Sequence, residues 1–177
     1  MYDNLVNELE KKTLATFPNL KGEIDLKAAL THWLKNHQVE FQFRTEDLLM
    51  FWQEALDEFL ATNNVNLEKV CANIPFSSQE EEFTFIDLFA GIGGFRLALQ
   101  ANGGSCVFSS EWDNAAKTTY FKNYGKTPFE DINNFTGEGI TEEDLDRLIP
   151  DHQILAAGFP CQPFSHAGVS ARTALGL

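Results

Sequence analysis

The sequence predicts an α/β fold preceded by a small all-α bundle, on three observations. Apolar residues recur at helical spacing up to about Cys71, strand-like and helical segments alternate from Phe83, and a glycine turn closes the first of those strands. In the first half, TEDLLMFWQEALDEFL places Leu49, Trp52, Leu56, Phe59 and Leu60 on one helical face, with Thr45 as its cap and Glu46 and Asp47 in the first turn. DLKAALTHWLKN groups Leu26, Leu30, Trp33 and Leu34, and an earlier helix runs from about Tyr2 to a stop at Pro18. These helices form residues 1–75, read as a packing or docking unit, with a protein-binding surface as the alternative.

Residues 76–82 read as an exposed linker, since NIPFSSQEEE combines proline, serine and an acid run. Then come a strand FTFIDLF, the glycine turn, a helix to about Asn102, a strand SCVFSS and a helix DNAAKTTYFKNY. A short PFEDI segment, a helix begun by Thr141 with Asp144 as capping-box partner, and a strand QILAAG follow. Strands alternating with helices imply parallel pairing in a doubly wound sheet over residues 83–177.

Composition narrows the class. With 177 residues, 44% hydrophobic and 12% aromatic, the chain can bury a core and is not disordered. Thirteen Lys plus Arg against twenty-six Asp plus Glu give a net charge of −13, so autonomous gripping of a DNA duplex is not expected. Cys71, Cys106 and Cys161 form no CxxC pair and no zinc framework, which fits a reducing cytoplasm and no bound metal. Apolar runs such as ILAAGF fall far short of the roughly 20 residues that span a bilayer, so no membrane association is expected.

In a sheet of this kind ligands sit beyond the carboxyl ends of the strands. There the chain reads Asp87-Leu-Phe-Ala-Gly-Ile-Gly-Gly-Phe, and Gly91, Gly93 and Gly94 let the backbone turn tightly and approach a cofactor. A dinucleotide fingerprint wants a third glycine where Arg96 stands, so the pyrophosphate cradle is incomplete. Glu111, just past the second strand, can accept from two ribose hydroxyls, and Trp112 beside it can stack on an adenine. Asp131 can accept from an adenine amino group, with Ile132 as an apolar wall. At this point Glu111 is equally readable as an acid favouring the next helix N-terminus, and Trp112 as a half-buried core aromatic. A ribose site without a pyrophosphate site points to S-adenosylmethionine over a nicotinamide dinucleotide.

The last strand ends in Phe159-Pro160-Cys161-Gln162-Pro163-Phe164-Ser165. Two prolines fix the backbone about the thiol, a setting that suits a nucleophile, whereas Cys71 and Cys106 read as inert. DLFAGIGGFR, SSEWD and GFPCQPFS together closely resemble the DNA (cytosine-5) methyltransferase family, in the family's order and over about half the chain. The helical preface and the AGVS segment are most similar to bacterial enzymes modifying the inner cytosine of CCWGG, the Dcm-like subgroup of restriction-modification-type methyltransferases.

The resemblance implies a partial Rossmann-like S-adenosylmethionine-dependent methyltransferase sheet. It implies that Phe89, Gly91 and Gly93 line the cofactor, Glu111 binds its ribose, and Trp112 and Ile132 sandwich its adenine, with Asp131 at the amino group. Cys161 is then the nucleophile adding to ring carbon 6 of a flipped cytosine, Pro160 and Pro163 shape its loop, and Ser165 contacts the loop or a phosphate. DNA is the implied substrate. The family's ENV acid, its base-holding arginine and its target-recognition region do not occur before Leu177. The chain is therefore expected to stop within the catalytic loop, to leave the far edge of the cysteine-bearing strand unpaired, and to need further sequence or a complementary methyltransferase polypeptide. Two other readings stand beside this one. The first is an inactive remnant or regulatory interaction module; the second is a different cysteine enzyme with His152 or His166 as base.

Overall fold

The computed structural model describes residues 1–20, 25–35, 46–76, 82–137 and 139–159. The helical half contains α1 (Tyr2–Thr16), a single 3-10 turn at Pro18–Leu20, α2 (Leu26–Lys35), α3 (Glu46–Asn63) and α4 (Leu67–Cys71). Leu26, Leu30, Trp33 and Leu34 are all buried, as their spacing predicts. On α3 the buried face is Leu48, Trp52, Ala55, Leu56 and Phe59; Leu49 and Leu60 sit at its margin. The stripe is thus rotated slightly from the expected one, because both Leu48 and Leu49 fit helical spacing and sequence alone does not choose between them. Thr45, the expected cap, lies outside the described residues. Trp52 is wholly buried and its indole N–H donates to Thr13 Oγ1 at 2.9 Å, which satisfies the one polar atom of a large apolar side chain.

The second half contributes β1 (Phe83–Leu88), α5 (Gly94–Gln100), β2 (Gly104–Ser110), α6 (Asn114–Tyr124), α7 (Asn133–Thr136), α8 (Glu142–Leu148) and β3 (Ile154–Ala157). The strands pair parallel in the order β2-β1-β3, so the chain crosses over the sheet between each pair. The expected capping box on α8 is present: Thr141 Oγ1 accepts from the Asp144 N–H and the Asp144 carboxylate accepts from the Thr141 N–H. β1 stops one residue earlier than predicted because Phe89 turns to φ +56°, outside the strand region. Among the described residues β3 pairs on one side, with β1, and Leu155 there is 58% exposed.

One apolar core runs through both halves. Leu5, Leu9, Leu30, Trp52 and Phe59 belong to the same cluster as Ile86, Val107, Phe108, Phe121 and Phe129. Every residue of β2 is buried, although β2 ends the strand order, because α5, Tyr120 of α6, Lys126 and Phe129 lie against it. Both described ends of the linker are tied to the α/β half: the Phe76 N–H donates to Asn123 O and the Glu82 N–H to Gly103 O. Among the described residues no helix is long and apolar enough to cross a membrane.

Phe129 stacks on Phe108 with centroids 5.1 Å apart and lies 5.1 Å from the His32 ring, so it joins the two halves of the core. Phe129→Ala is expected to lower unfolding stability by about 3–5 kcal/mol. In urea denaturation, far-ultraviolet circular dichroism and tryptophan fluorescence should report one coincident transition, since Trp33 and Trp52 share the core that Phe129 completes.

Candidate functional site

Parallel pairing brings the chemistry-bearing segments to one rim. Leu88 is level with Ser110 of β2 and with Ala157 of β3, so β1, β2 and β3 all end together. Phe89 and the glycine turn leave from β1, Glu111 and Trp112 from β2, and Gly158 and Phe159 from β3. A fourth segment joins the rim without forming a full strand. Phe129 makes an isolated parallel bridge with Ser110, its carbonyl accepts from the Glu111 N–H at 2.8 Å, and Asp131 and Ile132 follow two and three residues later.

The glycine turn holds three left-handed residues, Phe89, Gly91 and Gly93. A Cβ at Gly91 would meet nothing, whereas one at Gly93 would overlap the buried Tyr124 ring, whose hydroxyl donates to Gly93 O at 2.6 Å. Gly93 is therefore needed for packing as well as for its φ of +93°, and Gly91 leaves open space on the rim. Glu111 ties the turn down: Oε2 accepts from the Gly91 N–H at 2.7 Å and Oε1 from the Asp113 N–H at 2.8 Å. These bonds use two of the carboxylate's four acceptor directions and leave two for hydroxyl donors. The helix-favouring role once open to Glu111 belongs instead to Asp113, which caps α6 by accepting from the Ala116 N–H.

Trp112 is 74% exposed, not half-buried, and presents its indole beside Glu111. Phe89, Asp131 and Ile132 are half-buried. Asp131 Oδ1 accepts from the backbone and side-chain N–H groups of Asn133 at 2.9 Å, which orients the carboxylate at the start of α7. The open space at Gly91, the two remaining acceptor directions of Glu111 and the exposed indole fit an adenosine moiety with a ribose diol. Pro160, Cys161, Pro163 and Ser165 lie outside the described residues, as does His166. His152 is exposed, sits before the amino end of β3, and its Nδ1 lies 3.0 Å from Pro150 O. It is therefore at the rim opposite the glycine turn.

Two residues gain roles that the motif alone did not assign. Arg96, at the position of the missing third glycine, is 3% exposed; its guanidinium lies 4.5 Å from the Tyr124 ring centroid and donates to Tyr120 Oη at 3.1 Å. It packs behind the turn and offers no phosphate contact. The sequence signal for this was the Tyr120/Tyr124 pair, one helical turn apart on α6. Asp87, wholly buried one residue before the end of β1, is closed off from water beside the glycine turn. Burial pushes its carboxyl up to about 7, with the Arg96 charge opposing and Glu111 adding a smaller push.

Two outcomes follow from this geometry. Gly93→Ala should destabilise the chain by more than about 1 kcal/mol, and Gly91→Ala by less, in thermal melts, because only Gly93 faces a rigid ring. For Asp87 the native carboxyl keeps its proton to higher pH than the unfolded one, so its contribution to stability falls as pH rises from 3.8 to about 7. Asp87→Asn should remove that part of the decline in a pH series of denaturation midpoints.

The model of the C-5 cytosine-specific DNA methylase family matches residues 83–175, just over half of the chain. DNA-cytosine methyltransferase of Escherichia coli strain K12 is 43% identical over 99% of this chain and 37% of its own length, so that likeness includes the helical half. Type II methyltransferase M.BsuFI of Bacillus subtilis is 43% identical over 81% of this chain and 30% of the relative. Type II methyltransferase M.HpaII of Haemophilus parainfluenzae is 56% identical over 50% of this chain and 23% of the relative. The chain spans less than two-fifths of the length of these curated relatives. With its parallel sheet, its glycine turn and a family match covering the whole described rim, the chain belongs to the C-5 cytosine-specific DNA methylase family.

Proposed function

We propose that this chain forms the cofactor-binding and nucleophile-bearing part of a DNA (cytosine-5) methyltransferase, using S-adenosylmethionine and acting on DNA when the rest of the catalytic domain is present. That remainder is further sequence or a complementary methyltransferase polypeptide. The observation that carries the reading is Glu111, held against the glycine turn with acceptor directions to spare, beside the exposed Trp112. We place the seam between a helical unit, 1–75, and the methylase unit, 83–177, at residues 76–82.

In this reading Glu111 accepts from the ribose hydroxyls, and Trp112 and Ile132 cover the two adenine faces. Asp131 accepts from the adenine amino group, and Phe89, Gly91 and Gly93 shape the pocket floor. When bound, S-adenosylmethionine supplies an electrophilic methyl group on a positively charged sulfur. Cys161, in a loop shaped by Pro160 and Pro163 with Ser165 beside the flipped nucleotide, adds as thiolate to carbon 6 of the cytosine. Electron density shifts to carbon 5, to which bound S-adenosylmethionine would supply the methyl group, leaving the donor a neutral thioether. Loss of the carbon 5 proton then breaks the bond to Cys161 and restores the ring. The thiol thus divides one difficult substitution into an addition and an elimination.

Isothermal titration with S-adenosylhomocysteine tests the pocket. Losing hydrogen bonds to a charged group costs about 1.5–3 kcal/mol, so Glu111→Ala should weaken binding by roughly 10- to 100-fold. Glu111→Gln, which keeps the size and one acceptor, should lose less. Cys161→Ser should leave that affinity unchanged while abolishing methyl transfer to DNA in the completed enzyme. Unchanged affinity in Glu111→Ala would remove the ribose assignment.

A further inference from the structure

The helical half carries no motif of its own, yet three of its polar contacts reach Gly125, Thr127 and, on α6, Lys117, which itself lies against Glu130. The stretch from Gly125 to Glu130 leads directly into Asp131 and Ile132. It has little regular structure to fix it. On the sheet side it is held by the bridge to Ser110, by the Phe129 N–H donating to Ser109 O, and by Ser110 Oγ donating to Glu130 O at 2.8 Å.

The opposite side is held by the helical half. Tyr2 Oη donates to Gly125 O at 2.6 Å, and Thr31 Oγ1 accepts from the Thr127 N–H at 2.9 Å. Lys117 Nζ lies 2.9 Å from Asp25 Oδ2 and 3.4 Å from Glu130 Oε1. The Lys117 and Asp25 side chains are 10% and 14% exposed, so this pair is largely desolvated, and without Asp25 the ammonium is left with the longer, more exposed contact to Glu130. A half of the chain outside the family match at 83–175 thereby supplies the far wall of a segment inside it.

We infer that the helical unit positions the adenine-side wall of the cofactor pocket. Asp25 and Thr31 serve as positioning residues that act through Lys117, Glu130 and Thr127 on the placement of Asp131 and Ile132. This rests on the reading of Asp131 and Ile132 as adenine contacts. It gives the acidic preface a task in cofactor selection that does not require it to touch the cofactor or DNA.

The test uses the full chain with Asp25→Asn and Thr31→Val, both close in size to the residues they replace, and thermal melts to verify folding. Each is titrated with S-adenosylhomocysteine and with the analogue whose purine carries hydrogen in place of the 6-amino group. Coupling through packed contacts of this kind predicts about a 3- to 10-fold loss of affinity for S-adenosylhomocysteine and a smaller loss for the analogue, which keeps the purine face against Ile132 but has no amino group for Asp131. Amide hydrogen exchange should quicken at 127–132 and stay unchanged at 85–88. Equal losses for both ligands, or unaltered affinity in folded variants, would overturn the proposal. A parallel Asp131→Ala variant separates the two readings: if it binds S-adenosylhomocysteine undiminished, the adenine assignment fails. Unaltered exchange at 127–132 overturns the positioning role whatever the ligands show.

Discussion

The Glu111 carboxylate, accepting from the Gly91 N–H at 2.7 Å and the Asp113 N–H at 2.8 Å, is the interaction on which the rim depends. The turn after β1 contains three left-handed residues, one of them Phe89, for which that conformation is uncommon. Such a turn holds its shape only if its surroundings over-determine it. Here the Ala90 N–H reaches Ser110 O, the Gly93 N–H reaches Ala90 O, and Tyr124 Oη donates to Gly93 O. Glu111 adds the contact from the neighbouring strand, and in doing so fixes its own carboxylate at the edge of the pocket. One side chain is thus both the clamp of the turn and the candidate ribose acceptor.

Behind this clamp the interior is unusually polar for so small a sheet. Asp87 is sealed one residue before the end of β1, and Arg96 lies against Tyr120 and Tyr124. The aromatic faces and the Tyr120 hydroxyl compensate the guanidinium where water does not reach it. Replacing the third glycine of a dinucleotide turn with arginine therefore changes the helix–sheet packing as well as the phosphate chemistry.

Much of this was legible in the sequence. The order of strands and helices, the capping box of Thr141 and Asp144, and the placing of the glycine turn and Glu111 at one rim follow from periodicity and the parallel-sheet rule. The rotation of the α3 stripe toward Leu48 was not legible, since adjacent leucines satisfy the same period. Nor were the bonds of Tyr2 to Gly125 and Thr31 to Thr127. Those pairs lie about a hundred residues apart, and no local propensity encodes them. At the start of the acid and proline run that reads as a linker, the Phe76 backbone N–H is bonded to Asn123 O, a contact that composition does not encode. The burial of Asp87 was hidden for a related reason, since an aspartate at a strand end is ordinarily solvated or paired.

The most direct test is a crystal structure of the chain with S-adenosylhomocysteine bound. The account predicts the ribose hydroxyls within hydrogen-bond distance of Glu111, the adenine between Trp112 and Ile132, and its amino group facing Asp131. A ligand seated elsewhere, or a ribose turned away from a Glu111 that still holds the Gly91 N–H, would contradict it.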